Sequence, residues 1–94
     1  MKTPKLNQQE IAERLQGLPE WKLEGEEIVR KLEFKDFVES MKFVNKVAEI
    51  AEATQHHPDI TINWNKVTLS LTTHDSGGLT KNDFDLAAKI DQFI

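Results

Sequence analysis

Ninety-four residues without a cysteine exclude disulfides and thiolate chemistry, and they leave length for a single small domain over 1–94. Hydrophobic residues make up 38% and charged residues 30%, a globular balance with no apolar run near the ~20 residues of a membrane span. The formal charge of −4 argues against a nucleic-acid surface, and MKTPKLNQQE lacks the apolar stretch of a secretory signal, so a cytoplasmic protein is expected.

LNQQEI predicts a first helix. Asn7 can cap it while Glu10 reaches back, Leu6 can staple onto Ile11, and the helix should end near Gly17. In EWKLEGEEIVRKLEF, Trp21 and Leu23 precede Gly25, while Ile28, Leu32 and Phe34 follow it. Period-two spacing on both sides of a glycine predicts a hairpin. Asp36 and Glu39 suit the start of a long helix, 37–54. Its stripe should comprise Phe37, Met41, Val44, Val47 or Ala48, and Ala51, with Pro58 as the stop.

ITINWNKVTLSLTT then alternates around Asn65-Lys66, which predicts a second hairpin with its two-residue turn at those positions. That register sets Trp64 opposite Val67, Ile62 opposite Leu69 and Ile60 opposite Leu71, all on one apolar face. Thr61, Asn63, Thr68, Ser70 and Thr72 occupy the other, open face. After HDSGG, Thr80 and Asp83 can open a last helix whose apolar residues are Phe84, Ala87, Ala88 and Ile90. The expected fold is therefore α+β, a two-layer αββαββα arrangement with a four-stranded antiparallel sheet covered by helices on one face.

EATQHHPDITINW holds two of the three histidines side by side. Extending the predicted hairpin ladder brings His57 opposite His74, with His56 one residue away at the end of the long helix. Three imidazoles should thus converge on one cleft. Other accounts of these residues exist. A helix C-terminus favours cationic side chains through its dipole, by ~0.3–1 kcal/mol. Zinc held with Glu52 or Asp75 is a further account, but adjacent histidines seldom aim both rings at one ion, and no cysteine or HExxH pattern supports it. Asp83 has an ordinary explanation as a helix N-terminal carboxylate, and Trp64 as sheet packing. Gly77-Gly78 could present backbone N–H groups at a helix start, or simply form a tight connection.

The spacing Glu52, three residues, His56-His57-Pro58, five residues, Trp64, nine residues, His74, eight residues, Asp83 resembles the pattern of the pterin-4a-carbinolamine dehydratases. These proteins are also known as dimerisation cofactors of a homeodomain transcription factor. The likeness extends to FKDF, VAEIAE, THDSGGLT and GLPEW and covers nearly the whole chain. Trp64 stands where Tyr is commoner, and Gln55 falls at a variable position.

The resemblance implies dehydration of a 4a-hydroxytetrahydropterin to quinonoid dihydropterin, without cofactor or metal. It further implies that His56, His57 and His74 are the acid–base groups, a task suited to a side chain that titrates near neutrality. Glu52, Gln55, Thr72, Thr73 and Asp75 would join the histidines around the pterin, with Pro58, Trp64 and Asp83 in support. Glu52 lies one helical turn from His56 and could orient it. Family likeness also implies dimers joined through their sheets and tetramers joined through the long helices. Apolar positions at Phe37, Met41, Phe43, Val44, Val47, Ile50 and Ala51 give that helix more than one stripe to bury, so a homodimer or homotetramer is expected. The alternative is a non-catalytic dimerisation or assembly module using helix 37–54. The intact histidine triplet favours catalysis, since a scaffold gains nothing from converging imidazoles.

Overall fold

The computed structural model describes residues 3–94. Helix α1 (Gln8–Leu15) starts at a reciprocal cap. The Asn7 side chain accepts from the Glu10 N–H, and the Glu10 carboxylate accepts from the Asn7 N–H, both at 2.9 Å. Strands β1 (Lys22–Glu24) and β2 (Glu27–Glu33) flank Gly25-Glu26, and Gly25 takes a φ of +62° that a side chain would disfavour. Asp36 caps α2 (Phe37–Thr54) by accepting from the Glu39 N–H.

Helix α2 does not run on to Pro58. Gln55 leaves the helix in the left-handed region, at φ 56°, and its N–H closes the last turn on the Ala51 carbonyl. Pro58 then leads into β3 (Asp59–Asn63) and β4 (Lys66–Leu71). A one-turn 3-10 helix (His74–Ser76) precedes α3 (Lys81–Asp91).

All neighbouring strands are antiparallel, in the order β1-β2-β4-β3, so α2 carries the chain from β2 to the edge strand β3. Ile28, Val67, Leu69 and Leu71 point from the sheet into a core closed by Phe43 and Val47 of α2 and by Phe84, Leu86, Ala87 and Ile90 of α3. Leu6, Ile11 and Leu15 pack at its margin. The end of α3 is tied to the first hairpin, because Asp91 accepts from both Trp21 Nε1 (3.0 Å) and Arg30 Nη1 (3.1 Å). Among the described residues no helix is long and apolar enough to cross a membrane.

Three expectations need correction. The second hairpin turns at Trp64-Asn65 rather than Asn65-Lys66, so Ile62 faces Val67 and Ile60 faces Leu69. Asn65 is held by the residue just after β2: its side chain donates to the Phe34 carbonyl and its carbonyl accepts from the Phe34 N–H. The pairing has slipped by two residues, which preserves the faces of Ile60 and Ile62 but expels Trp64, now 61% exposed at φ 53°.

In α2 the core face is Ser40, Phe43, Val47 and Ala51, while Phe37 and Ala48 are exposed and Met41 and Val44 half-buried. Ser40 can sit inward because its hydroxyl donates to the Asp36 carbonyl at 2.9 Å. In α3, Leu86 is buried and Ala88 exposed.

Candidate active site

The left-handed Gln55 takes the chain off the helix axis, so His56 and His57 stand on irregular backbone at the start of β3. At the end of β4, Thr73 and Gly78 form an isolated bridge with backbone bonds of 3.1 and 3.3 Å. That bridge pinches off the one-turn helix carrying His74 and Asp75, and Gly77 at φ 75° closes it. Because β3 and β4 are neighbours, the two segments meet. A cleft of ≈ 270 Å³ is lined by Gln55, His56, His57, Thr72, Thr73, His74 and Asp75.

Behind the cleft lies a fully buried carboxylate. Asp83 Oδ1 accepts from His56 Nε2 at 2.5 Å, and Oδ2 accepts from Thr73 Oγ1 (2.8 Å) and the Thr80 N–H (3.0 Å). The Thr73 and Thr80 hydroxyls are 2.9 Å apart. Each hydroxyl has one proton. Thr73 spends its own on Asp83, so Thr80 donates to Thr73, while the Thr80 oxygen accepts from the Asn82 N–H. Asp83 thus caps α3 and fixes the His56 ring in one arrangement, and His56 is itself only 17% exposed. His57 is held differently. Its Nε2 pairs with Glu52 at 2.5 Å, but the two side chains are 54% and 73% exposed, a surface pair worth ~0–1 kcal/mol.

The sequence expectation and the geometry differ in detail. Glu52 partners His57 rather than His56 and does not line the cleft. The corrected ladder, continued past Asp59, brings His57 opposite Thr72 rather than His74, which sits beyond the strand in the one-turn helix. Trp64 is at the far end of β3, ~15–17 Å along a five-residue strand, and does not line the cleft. Pro58 is half-buried beside the histidines. Thr80 was missed, although Thr80 followed by Asp83 is a capping-box signal, and the spacing from His56 gave no hint that this cap would hold the imidazole. No group of three or more His, Cys, Asp or Glu among the described residues is placed to hold a metal ion.

A four-stranded antiparallel sheet under three helices, with a histidine-lined cleft at the junction of its edge strand and long helix, defines an α+β protein. A family model described as pterin 4 alpha carbinolamine dehydratase matches residues 4–93, and the chain belongs to that family. A relative in Acidobacterium capsulatum, whose name marks it provisionally as a pterin-4-alpha-carbinolamine dehydratase, is 61% identical over 84 residues, 89% of this chain and 91% of its own. A relative in Picosynechococcus sp. with the same provisional name is 53% identical over 88 residues, 94% of this chain and 96% of its own. Among solved structures, a transcriptional coactivator/pterin dehydratase from Brucella melitensis superposes with a TM-score of 0.88 at 34% identity, covering 94% of this chain and 96% of its own. A pterin dehydratase-like RuBisCO assembly factor of the alpha-carboxysome shares the fold at a TM-score of 0.62 and 19% identity, covering 77% of this chain and 83% of its own.

Proposed function

We propose that this protein dehydrates a 4a-hydroxytetrahydropterin to quinonoid dihydropterin, using its histidines as acid and base and no metal or cofactor. The observation that carries this reading is the convergence of His56, His57 and His74 on one cleft, with His56 braced by a buried carboxylate. In the reaction one imidazole accepts the N5 proton and another protonates the hydroxyl leaving C4a. The C4a–O bond breaks, an N5=C4a double bond forms, and water departs. With Nε2 of His56 donating to Asp83, its Nδ1 is the ring atom available to exchange a proton with substrate. Gln55, Thr72, Thr73 and Asp75 line the same cleft and supply hydrogen bonds to the pterin ring.

The direct test is dehydration of chemically generated 4a-hydroxytetrahydropterin, followed by its ultraviolet change. Turnover is expected, and exhaustive chelation should leave the rate unaltered. Two carboxylates already hold the Nε2 atoms of His56 and His57 apart from each other, which suits proton transfer better than a shared ion. Activity lost on chelation and restored by zinc would defeat the acid–base reading.

A second reading, a dimerisation or assembly module acting through α2, has support in that helix's outer face. Phe37 and Val38 are 48% and 60% exposed, beside half-buried Met41 and Val44. The Brucella melitensis relative bears the name of coactivator as well as dehydratase, so the two readings are compatible. Burial of that face predicts a homodimer or homotetramer. Sedimentation at micromolar concentration should give a mass of two or four chains, and monomer alone would refute it.

A further inference from the structure

The three histidines are not held alike. Asp83 braces His56 and Glu52 pairs with His57, whereas among the described residues no side chain hydrogen-bonds the His74 ring. His74 therefore takes its place from the backbone of its turn. That turn is a single 3-10 helix, His74–Ser76, and Thr73 before it makes no side-chain cap. Within it the Ser76 N–H donates to the Thr73 carbonyl at 3.1 Å, and the Gly77 N–H to the His74 carbonyl at 3.0 Å. Hydrogen bonds of 3-10 geometry are poor ones, so one such turn gains from a brace outside itself.

The brace comes from residues 3–6, Thr-Pro-Lys-Leu, which form neither helix nor strand. Pro4 biases Thr3 toward extended backbone. Ser76 Oγ donates to the Thr3 carbonyl at 2.5 Å, and among the described residues this is the one side-chain bond that residues 74–76 make. Thr3 is fixed in turn by Asn82, whose Nδ2 donates to Thr3 Oγ1 at 3.0 Å. Three residues on, the Leu6 N–H donates to the Leu79 carbonyl at 2.8 Å, and the Leu6 side chain packs against the core. Between those ties Lys5 Nζ pairs with Glu26 Oε2 at 3.2 Å, so close over Gly78 that the methyl of an alanine there would collide with both side chains. The segment thus crosses the turn with a tie at each end.

We infer that residues 3–6 form a strap that positions His74 for proton transfer, acting through the Ser76 hydroxyl. Ser76 and Thr3 are positioning residues, because they reach the reaction only through the His74 ring. The inference rests on the dehydratase reading above and deepens it. Proton transfer needs donor and acceptor at hydrogen-bond distance, so a loosened turn should slow the chemical step more than it weakens binding.

The test uses Ser76→Ala, which removes the donor to the strap, and Thr3→Val, which removes the strap's tie to Asn82. For each, kcat and KM for a 4a-hydroxytetrahydropterin are measured in the unmodified and in the His74→Ala background. Separately, the ring signals of the three histidines are followed by NMR and assigned with the single His→Ala variants. Ser76→Ala should lower kcat by ~3–10-fold, the net effect of one hydrogen bond, with KM changed less than about twofold. Thr3→Val should act in the same direction. In the His74→Ala background neither should cost anything further, since the residue through which they act is gone. Both should shift the His74 ring signal and leave those of His56 and His57 in place. Equal losses of kcat in the two backgrounds would reduce both residues to a general structural role and overturn the inference. So would an unaltered kcat, an unmoved His74 signal, or an effect confined to Ser76. Absence of turnover by the unmodified protein would overturn the dehydratase reading and the catalytic part of this inference with it, while the ring spectrum would still decide whether the strap holds His74.

Discussion

Replacing His57 or His74 with Ala is expected to slow dehydration by ~10²–10⁴-fold, the usual worth of a positioned acid or base. Both histidines are exposed side chains at the cleft and contribute nothing to the core, so the folded state should persist. Circular dichroism and the urea midpoint would check that. His56→Ala should cost a similar factor in rate and some stability as well, because it strips one donor from buried Asp83. Double replacements should be less than additive, since donor and acceptor act in one proton transfer. Stopped-flow absorbance on the single, double and triple variants measures each factor. A triple Ala variant that folds and dehydrates at the unmodified rate would leave the dimerisation-module reading standing alone.

The second large effect belongs to Asp83. Asp83→Ala should destabilise the protein by about 3–5 kcal/mol, because it orphans one buried and two part-buried donors at ~1–3 kcal/mol each, with partial relief from relaxation. The three are the His56 ring N–H, the Thr73 hydroxyl and the Thr80 backbone N–H. Asp83→Asn keeps the shape but turns an –NH2 toward one of those donors, so its cost should be smaller. Its rate should fall on the order of 10²-fold, since an amide does not stabilise a charged imidazole as a carboxylate does. Glu52→Gln is the contrasting case. It alters an exposed pair, and its effect on stability should stay below about 1 kcal/mol. Urea titration ranks the three. An Asp83→Asn protein with unmodified kcat would reduce Asp83 to a helix cap.

Of the three capping pairs that the sequence predicted, all on residues three positions apart, Asn7 with Glu10 and Thr80 with Asp83 formed reciprocally, and Asp36 with Glu39 formed on one side, Asp36 accepting from the Glu39 N–H. Such contacts are local, so adjacent side chains decide them. The first hairpin was equally legible, because Gly25 supplies the positive φ that the turn demands. The second hairpin was not. Alternation with a period of two is blind to a slip of two residues, and what chose Trp64-Asn65 was the grip of Asn65 on Phe34, 31 residues away.

The same limit applies to α2. The expected stripe mixed two faces, Phe37-Met41-Val44-Ala48 and, through its members Val47 and Ala51, Ser40-Phe43-Val47-Ala51; both are helical in period, and a rotation of ~100° per residue separates them. Only contact with the sheet turned the second one inward.

For the site, the sequence by itself determined which residues gather. Seven of the eight expected substrate-lining residues do line the cleft, because the segments 55–57 and 72–75 flank neighbouring antiparallel strands in any plausible register. Their partners were a matter for tertiary structure. Glu52 reached His57 because Gln55 breaks the helix and removes His56 from the i, i+4 position that helical spacing had assigned it. His56 swung instead toward α3, where packing of that helix on the core had buried Asp83 and left its carboxylate in need of donors. A residue's neighbours along the chain set its cap, whereas the register of a hairpin, the inward face of a helix and the partner of a buried charge are set by whichever distant element the core brings against them.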